Sequence, residues 1–496
     1  MERFEFYRQR AEELAHLNSV LAALAWDQEV MMPPQGVEHR ASLRSTVAAI
    51  YHQHLCDPQL GEALETLSEE ERPPLEQAGI RELRRKRERA VRVPESLVRE
   101  ITEVCALAYE HWVQARLESR FSRFAPWLEK ILVLKRQEAQ CLAPEGAGYD
   151  ALLDEFEPGA TSAALRSSFS EIRPRLSGLL RRIQASAPAG RARSLDGEFP
   201  IEGQRQFGRR VLTAMGFDWT AGRLDESPHP FCVGITPRDV RLTTHYKVEN
   251  LTRSLFGMIH EGGHGLYEQG LSALEYGNPA CEATSLGIHE SQSRLWENLV
   301  ARSRAFWTFW FPELRRSLPR AFEHFDLDSF LLAVNRVAPT LIRIEADEVT
   351  YGLHIILRFE LEQDLLAGNL EVAELPRVWD DRMEEYVGIR PANEANGVLQ
   401  DTHWSQGLIG YFPTYLLGNM YAAQFFRRAG GEIPDLQEQI SRGELQPLRQ
   451  WLRTRIHCVG KTRSADELVR EITGAPLRGE YFLNYLETKF AEIYEL

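Results

Sequence analysis

Cysteine is scarce: six residues, Cys56, Cys105, Cys141, Cys232, Cys281 and Cys458, are scattered over 496 positions with no C-x-x-C pair. That spacing suits neither a disulfide framework nor a thiolate zinc site, so a reducing cytoplasm is the expected setting. Long apolar runs are missing too. None approaches the roughly 20 residues of a membrane span, and the opening Met-Glu-Arg-Phe-Glu-Phe lacks the basic and apolar regions of a secretory signal. Basic residues are outnumbered, 58 against 72 acidic, for a formal charge of −14. Affinity for nucleic-acid phosphates depends on Lys and Arg, so nucleic acid is a poor partner for this chain. A soluble protein with neither membrane nor nucleic acid as partner is expected.

What the chain has in abundance is helical periodicity. From Phe4 to Leu24 apolar residues recur at three- and four-residue steps between charges, and similar stretches run through 58–92, 94–140 and 161–184. The first 200 residues therefore read as almost wholly helical. The basic run Arg81–Arg92 is interleaved with Glu82 and Glu88, the mark of a solvated helix face rather than a docking patch. Ala185–Ser194, rich in Ala, Gly, Ser and Pro, is the clearest linker-like stretch. One strand is expected, Val240–Tyr246, where Val240, Leu242, Thr244 and Tyr246 alternate with Arg241, Thr243 and His245. Helical patterns resume after residue 250 and no internal repeat is found, so the architecture is mainly α with a small sheet near its middle.

The run His260-Glu261-Gly262-Gly263-His264 is an H-E-x-x-H motif, which carries chemistry only on a helix. Leu251, Leu255 and Ile259 repeat every four residues, Asn250 can cap the start and Gly270 can end it, which predicts a helix of about 20 residues. Histidines four apart share a helix face about 6 Å apart along the axis, and both can reach one ion at Zn–N distances of about 2.0–2.1 Å. Glu261 then lies beside the metal without ligating it. Glycines at 262, 263 and 265 cost roughly 0.5–1 kcal/mol each relative to alanine, so a close approach of backbone or substrate should compensate. A second helix is expected around His289-Glu290-Ser291-Gln292-Ser293-Arg294, after the turn Gly277-Asn278-Pro279. Antiparallel packing of the two helices would bring Glu290 to the metal as third ligand, with a fourth position open. Spacing alone leaves Glu268, Glu275, Glu282 and Glu297 in competition.

These residues resemble the carboxypeptidase Taq family of metallocarboxypeptidases, in which H-E-x-x-H is followed by a downstream glutamate, here 30 residues after His260. The likeness extends to His229-Pro230-Phe231, to Asp239-Val240-Arg241-Leu242-Thr243 for D-x-R-x-T and to Ile342-Arg343-Ile344-Glu345-Ala346-Asp347 for I-R-x-x-A-D. It includes Gly397-Val398-Leu399-Gln400-Asp401-Thr402-His403-Trp404 for G-x-x-Q-D-x-H-W, and an opening Trp26-Asp27-Gln28-Glu29 followed by Met32-Pro33. It thus covers essentially the whole chain. The resemblance implies a single mainly helical, two-lobed domain over residues 1–496, helical over 1–200 and zinc-binding over 201–496, with a deep groove. It also implies a homodimer that removes single residues from peptide C-termini, with one zinc per chain held by His260, His264 and Glu290 and cobalt as the alternative ion.

Peptide hydrolysis needs a base, and Glu261 next to a ligand is placed to take a proton from water and pass it to the leaving amine. Donors for the developing oxyanion are sought in His403, Tyr411 and Tyr415, a choice the resemblance favours over a plain core or surface role. A carboxypeptidase must also bind a free carboxylate, for which the planar fork of arginine is suited. Arg343 is the candidate, against a local ion pair with Glu345, Asp347 or Glu348, and Arg241 is the alternative. His229 and Asp239 are expected to shape the cleft wall. Competing readings are a zinc endopeptidase or dipeptidase with the same chemistry, a di-iron helical bundle, for which paired E-x-x-H motifs are lacking, and a non-catalytic helical protein.

Overall fold

Alternation of apolar and charged residues at helical spacing produces helices along most of the chain, and the computed structural model describes them over residues 2–146, 148–195 and 197–496. The expected first helix spans Glu2–Val30. The 58–92 stretch divides into Pro58–Ser68 and Pro74–Arg92, because prolines at 73 and 74 remove amide donors and reset the backbone between them. Among the described residues no helix is long and apolar enough to cross a membrane.

The chain forms two compact units. The first gathers residues 1–91, 193–334 and 421–477, and the second 92–192, 335–420 and 478–496. One change of unit falls within the linker-like stretch, after the helix Ser162–Ala185 has ended.

The first unit contains a three-stranded sheet: β1 (Gly222–Glu226), β2 (Cys232–Thr236) and β3 (Asp239–Thr244), in the order β1-β3-β2, with β1 parallel and β2 antiparallel to β3. The strand expected over 240–246 is the central one, and it stops two residues earlier. Its two edge partners were not expected, since Gly-Arg-Leu-Asp-Glu and Cys-Val-Gly-Ile-Thr are five residues each and show no clear period of two. Val240 and Leu242 are fully buried, and the side chain of Thr243 accepts from the Phe231 amide at 2.9 Å and from the Ser227 hydroxyl at 2.7 Å, pinning the β1–β2 connection.

The helix expected around the H-E-x-x-H motif spans Leu251–Gly270. Asn250 caps it by accepting from the Arg253 amide at 3.0 Å. Leu251, Leu255, Ile259 and Leu266 are buried along it. The second helix, Leu286–Arg294, is capped by Ser285, whose hydroxyl accepts from the Ile288 amide at 3.1 Å. It continues into a wider π-helical turn, Leu295–Val300, a departure from α geometry that is often found at functional sites.

Candidate metal centre and active site

The motif helix packs on the second helix at a glycine. A Cβ on Gly263 would lie 2.6 Å from the Gln292 carbonyl oxygen and from Ser293 Cα, so the backbones meet where any larger residue would hold them apart. Close approach of a neighbouring backbone is therefore the compensation for this glycine. Gly265 makes similar room for Leu242 of β3 and for Phe217.

This packing brings His260, His264 and Glu290 together, with one ligand atom from each lying within 4.8 Å of the other two. Glu290 Oε2 stands 3.6 Å from His260 Nε2 and 3.4 Å from His264 Nε2. Donors at about 2.0–2.1 Å from a tetrahedral ion lie roughly 3.3–3.4 Å apart, so two imidazoles and a carboxylate at these separations suit a divalent cation such as zinc. The other Glu290 oxygen, Oε1, accepts from Arg294 Nε at 2.6 Å. Arg294 thus aims one carboxylate oxygen at the histidines. Burial opposes ionisation of Glu290, but the Arg294 and His260 charges outweigh it and hold its carboxyl well below the usual range.

Three of the four competing glutamates, Glu297, Glu268 and Glu282, have their carboxylates engaged by other side chains. Glu297 Oε2 lies 2.8 Å from His260 Nδ1, which directs the opposite nitrogen toward Glu290, and Arg294 and Arg302 hold Glu297 in turn. Glu268 pairs with His289 at 2.8 Å. Glu282 bridges Lys86 and Lys461, and the Glu275 carbonyl accepts from the Asn278 amide in the turn before the second helix. Arg294 and Glu297 follow Glu290 by four and seven residues, on the same helix face, a spacing that could have marked them in the sequence. Glu261 is buried beside His260 and Glu290, and removal from water raises its carboxyl to about 7. Burial also lowers His264, with help from neighbouring His289, to about 3, so its ring is neutral and free to ligate.

Two other expected residues lie in the same unit. Arg241 on β3 forms a two-point pair with Asp239, at 2.9 and 2.8 Å, and its guanidinium lies 4.3 Å from the Trp26 ring centroid. The His229 side chain is exposed on the β1–β2 connection.

The second unit holds a separate cluster. Arg343 sits buried in a 3-10 turn, and the expected local ion pair is not what forms. Glu348 is taken by Lys489 and Tyr485, and Asp347 accepts from the Ala338, Val349 and Thr350 amides. Arg343 instead directs Nε and Nη2 to Asp401 Oδ1 at 3.0 and 2.9 Å, while Arg358 Nε donates to Asp401 Oδ2 at 2.7 Å. Arg343 Nη1 reaches Tyr351 at 3.3 Å. Asp401, and the Arg358 that shares it, were not expected beside Arg343, because 58 and 15 residues of sequence separate them from it. His403 Nε2 lies 3.2 Å from the Tyr415 hydroxyl, and its ring is 5.4 Å from that of Tyr411. Burial drives the His403 imidazole down to about 3, so it is neutral.

A mainly helical chain with two histidines of an H-E-x-x-H helix and a glutamate of the next helix converging on one point is built as a metallopeptidase. Its relatives say which kind. Residues 6–490 match the family described as carboxypeptidase Taq (M32) metallopeptidase. The thermostable carboxypeptidase 1 of Thermus thermophilus is 43% identical over 495 residues, 97% of each chain. Carboxypeptidase 1 of Bacillus subtilis is 34% identical over 492 residues, 98% of this chain and 97% of its own. Among solved structures, the M32 carboxypeptidase from Deinococcus radiodurans superposes with a TM-score of 0.97 at 36% identity over 100% of both chains. The chain belongs to the carboxypeptidase Taq (M32) family of metallopeptidases.

Proposed function

We propose that this protein is a zinc-dependent carboxypeptidase, acting as one catalytic domain, that removes single residues from the free C-termini of peptides. The observation that carries the reading is the convergence of His260 Nε2, His264 Nε2 and Glu290 Oε2 within 4.8 Å. When bound there, a divalent ion, zinc in this reading with cobalt as the alternative, supplies Lewis acidity that lowers the pKa of water toward about 7 and polarises a carbonyl.

The remaining work falls to the chain. Glu261 takes the proton of the attacking water at its carboxylate and returns it to the departing amine nitrogen, which keeps both steps in one buried group. His403, Tyr411 and Tyr415 are the donors assigned to the developing oxyanion. A neutral histidine and a phenol can each donate one proton without carrying charge into the site. Arg343 is assigned to the substrate carboxylate through Nη1, since Nε and Nη2 are engaged by Asp401, and the incoming carboxylate would take the place of the Tyr351 hydroxyl that Nη1 now reaches. Arg241 is the alternative anchor, and His229 a wall of the substrate site. The homodimer rests on the family resemblance.

The deciding experiment measures metal content and then hydrolysis of one peptide prepared as free acid and as C-terminal amide. About one zinc per chain, loss of activity with a chelator and a strong preference for the acid are expected. Equal rates on acid and amide would leave an endopeptidase with the same metal site. Full activity in metal-free protein would overturn the metal assignment.

A further inference from the structure

The two histidine ligands are oriented differently. A ligating imidazole must keep one nitrogen on line with the ion, and the usual device is a hydrogen bond from the opposite nitrogen to a carboxylate or carbonyl. His260 has this device in Glu297, 2.8 Å from its Nδ1. His264 does not: its Nδ1 is buried and has no hydrogen-bond partner. Its ring could turn about the Cβ–Cγ bond without breaking any bond at that nitrogen.

What lies against the His264 ring is another imidazole. His289 stacks on it with centroids 4.4 Å apart and ring planes 18° from parallel. Stacking at that distance resists rotation of either ring, since turning one drives its edge into the other. His289 is itself held. Its Nε2 lies 2.8 Å from Glu268 Oε1, and its ring lies 5.5 Å from that of Tyr267. Tyr267 in turn contacts Thr284 through its hydroxyl at 3.2 Å. Glu268 can reach His289 because strand β2 carries glycine at the point of contact, where a Cβ on Gly234 would lie 2.3 Å from Glu268 Oε2.

We propose that His289 is a positioning residue that fixes the plane of the His264 ligand by ring stacking, with Glu268 and the gap at Gly234 holding His289 in place. The inference rests on the proposed metal site. It gives His289 a function apart from its neighbour Glu290: one residue offers a donor atom and the one before it offers a flat surface. The stack, rather than a charge on His289, is the operative contact, so an uncharged aromatic ring should serve in its place.

The test is the equilibrium zinc affinity of the metal-stripped full chain, measured by competition with a chromophoric chelator. Loss of an outer residue that orients a ligand typically weakens metal binding about 10–100-fold, and that loss is expected for His289→Ala. His289→Phe restores the flat surface and should recover most of the affinity. Gly234→Ala pushes Glu268 off His289 and so loosens the stack without removing the ring, and it should weaken binding, though less than His289→Ala. Unchanged affinity in His289→Ala would overturn the proposal, as would His289→Phe binding as weakly as His289→Ala, which would assign the effect to hydrogen bonding or charge. A wild-type chain that binds no zinc would instead overturn the metal site itself, and this inference with it.

Discussion

Gly263 and Ser293 meet backbone to backbone: a Cβ on the glycine would stand 2.6 Å from Ser293 Cα. That contact sets how near the Glu290 helix comes to the two histidines. Gly262 differs, because its Cβ would clash only with the Leu212 Cδ2 methyl, at 2.3 Å, the far end of a side chain that can turn away.

Gly263→Ala should therefore destabilise the protein by about 1–3 kcal/mol, as overpacking does, and weaken zinc binding by separating the helices. Gly262→Ala should be near neutral, since the gain in helix propensity of up to about 1 kcal/mol offsets the repacking of Leu212. Denaturant midpoints and zinc affinity check both variants. Equal costs at the two positions would mean that packing against Ser293 is not what requires glycine at 263.

Glu261→Gln keeps size and most hydrogen bonding but removes the carboxylate proposed as the base. Turnover should fall by roughly 10²–10⁴-fold with zinc content unchanged. If metal and activity fall together, Glu261 is holding the site together rather than moving a proton.

The anchor for the substrate carboxylate can be read from kcat/KM on one peptide as acid and amide, in wild type, Arg343→Ala and Arg241→Ala. A hydrogen bond to a charged group contributes about 1.5–3 kcal/mol, so loss of the anchor should cost the acid about 10- to 200-fold and the amide little. The selective loss is expected for Arg343→Ala. Because Arg343 also holds Asp401, an equal loss on both peptides would make it a structural residue, and a selective loss in Arg241→Ala would make the strand arginine the anchor.

Glu362, in the second unit, offers a pH test of stability. Its carboxylate accepts from Trp404 Nε1 at 2.9 Å, the Tyr149 hydroxyl at 2.8 Å and the Gly410 amide at 3.1 Å. Burial nevertheless raises its pKa from 4.5 to about 7. Between those values the native state keeps a proton that the unfolded chain has released, so this group's contribution falls as pH rises and is level above about 7. The change is at most about 3 kcal/mol at 1.36 kcal/mol per unit. Glu362→Gln should reduce the loss of stability between pH 5 and 7, measured by denaturant unfolding at each pH. An unchanged slope would show that the three donors keep Glu362 ionised throughout.

Much of the site was legible because its signals are local. Helical spacing at Leu251, Leu255 and Ile259, a cap at Asn250 and two histidines four apart depend on residues within one helix, whose geometry is fixed by short-range hydrogen bonds. Glu290 was reached through its motif. The helical character of the first 200 residues was legible for the same reason, but the break at prolines 73 and 74 was not, because periodicity passes over it.

Residue order was therefore enough to single out three residues that converge, the two helices that carry them and the family to which the chain belongs. Long-range packing settled which acid does what: Glu297 behind His260, Glu268 behind His289, and Asp401 rather than Glu345, Asp347 or Glu348 with Arg343. It also settled the two short edge strands beside β3. The physical reason is common to these cases. A buried charge must be paired, but any nearby opposite charge satisfies that requirement, and which one arrives depends on how elements distant in sequence pack. Five-residue edge strands likewise draw their stability from the strand beside them, so their own residues need carry no pattern.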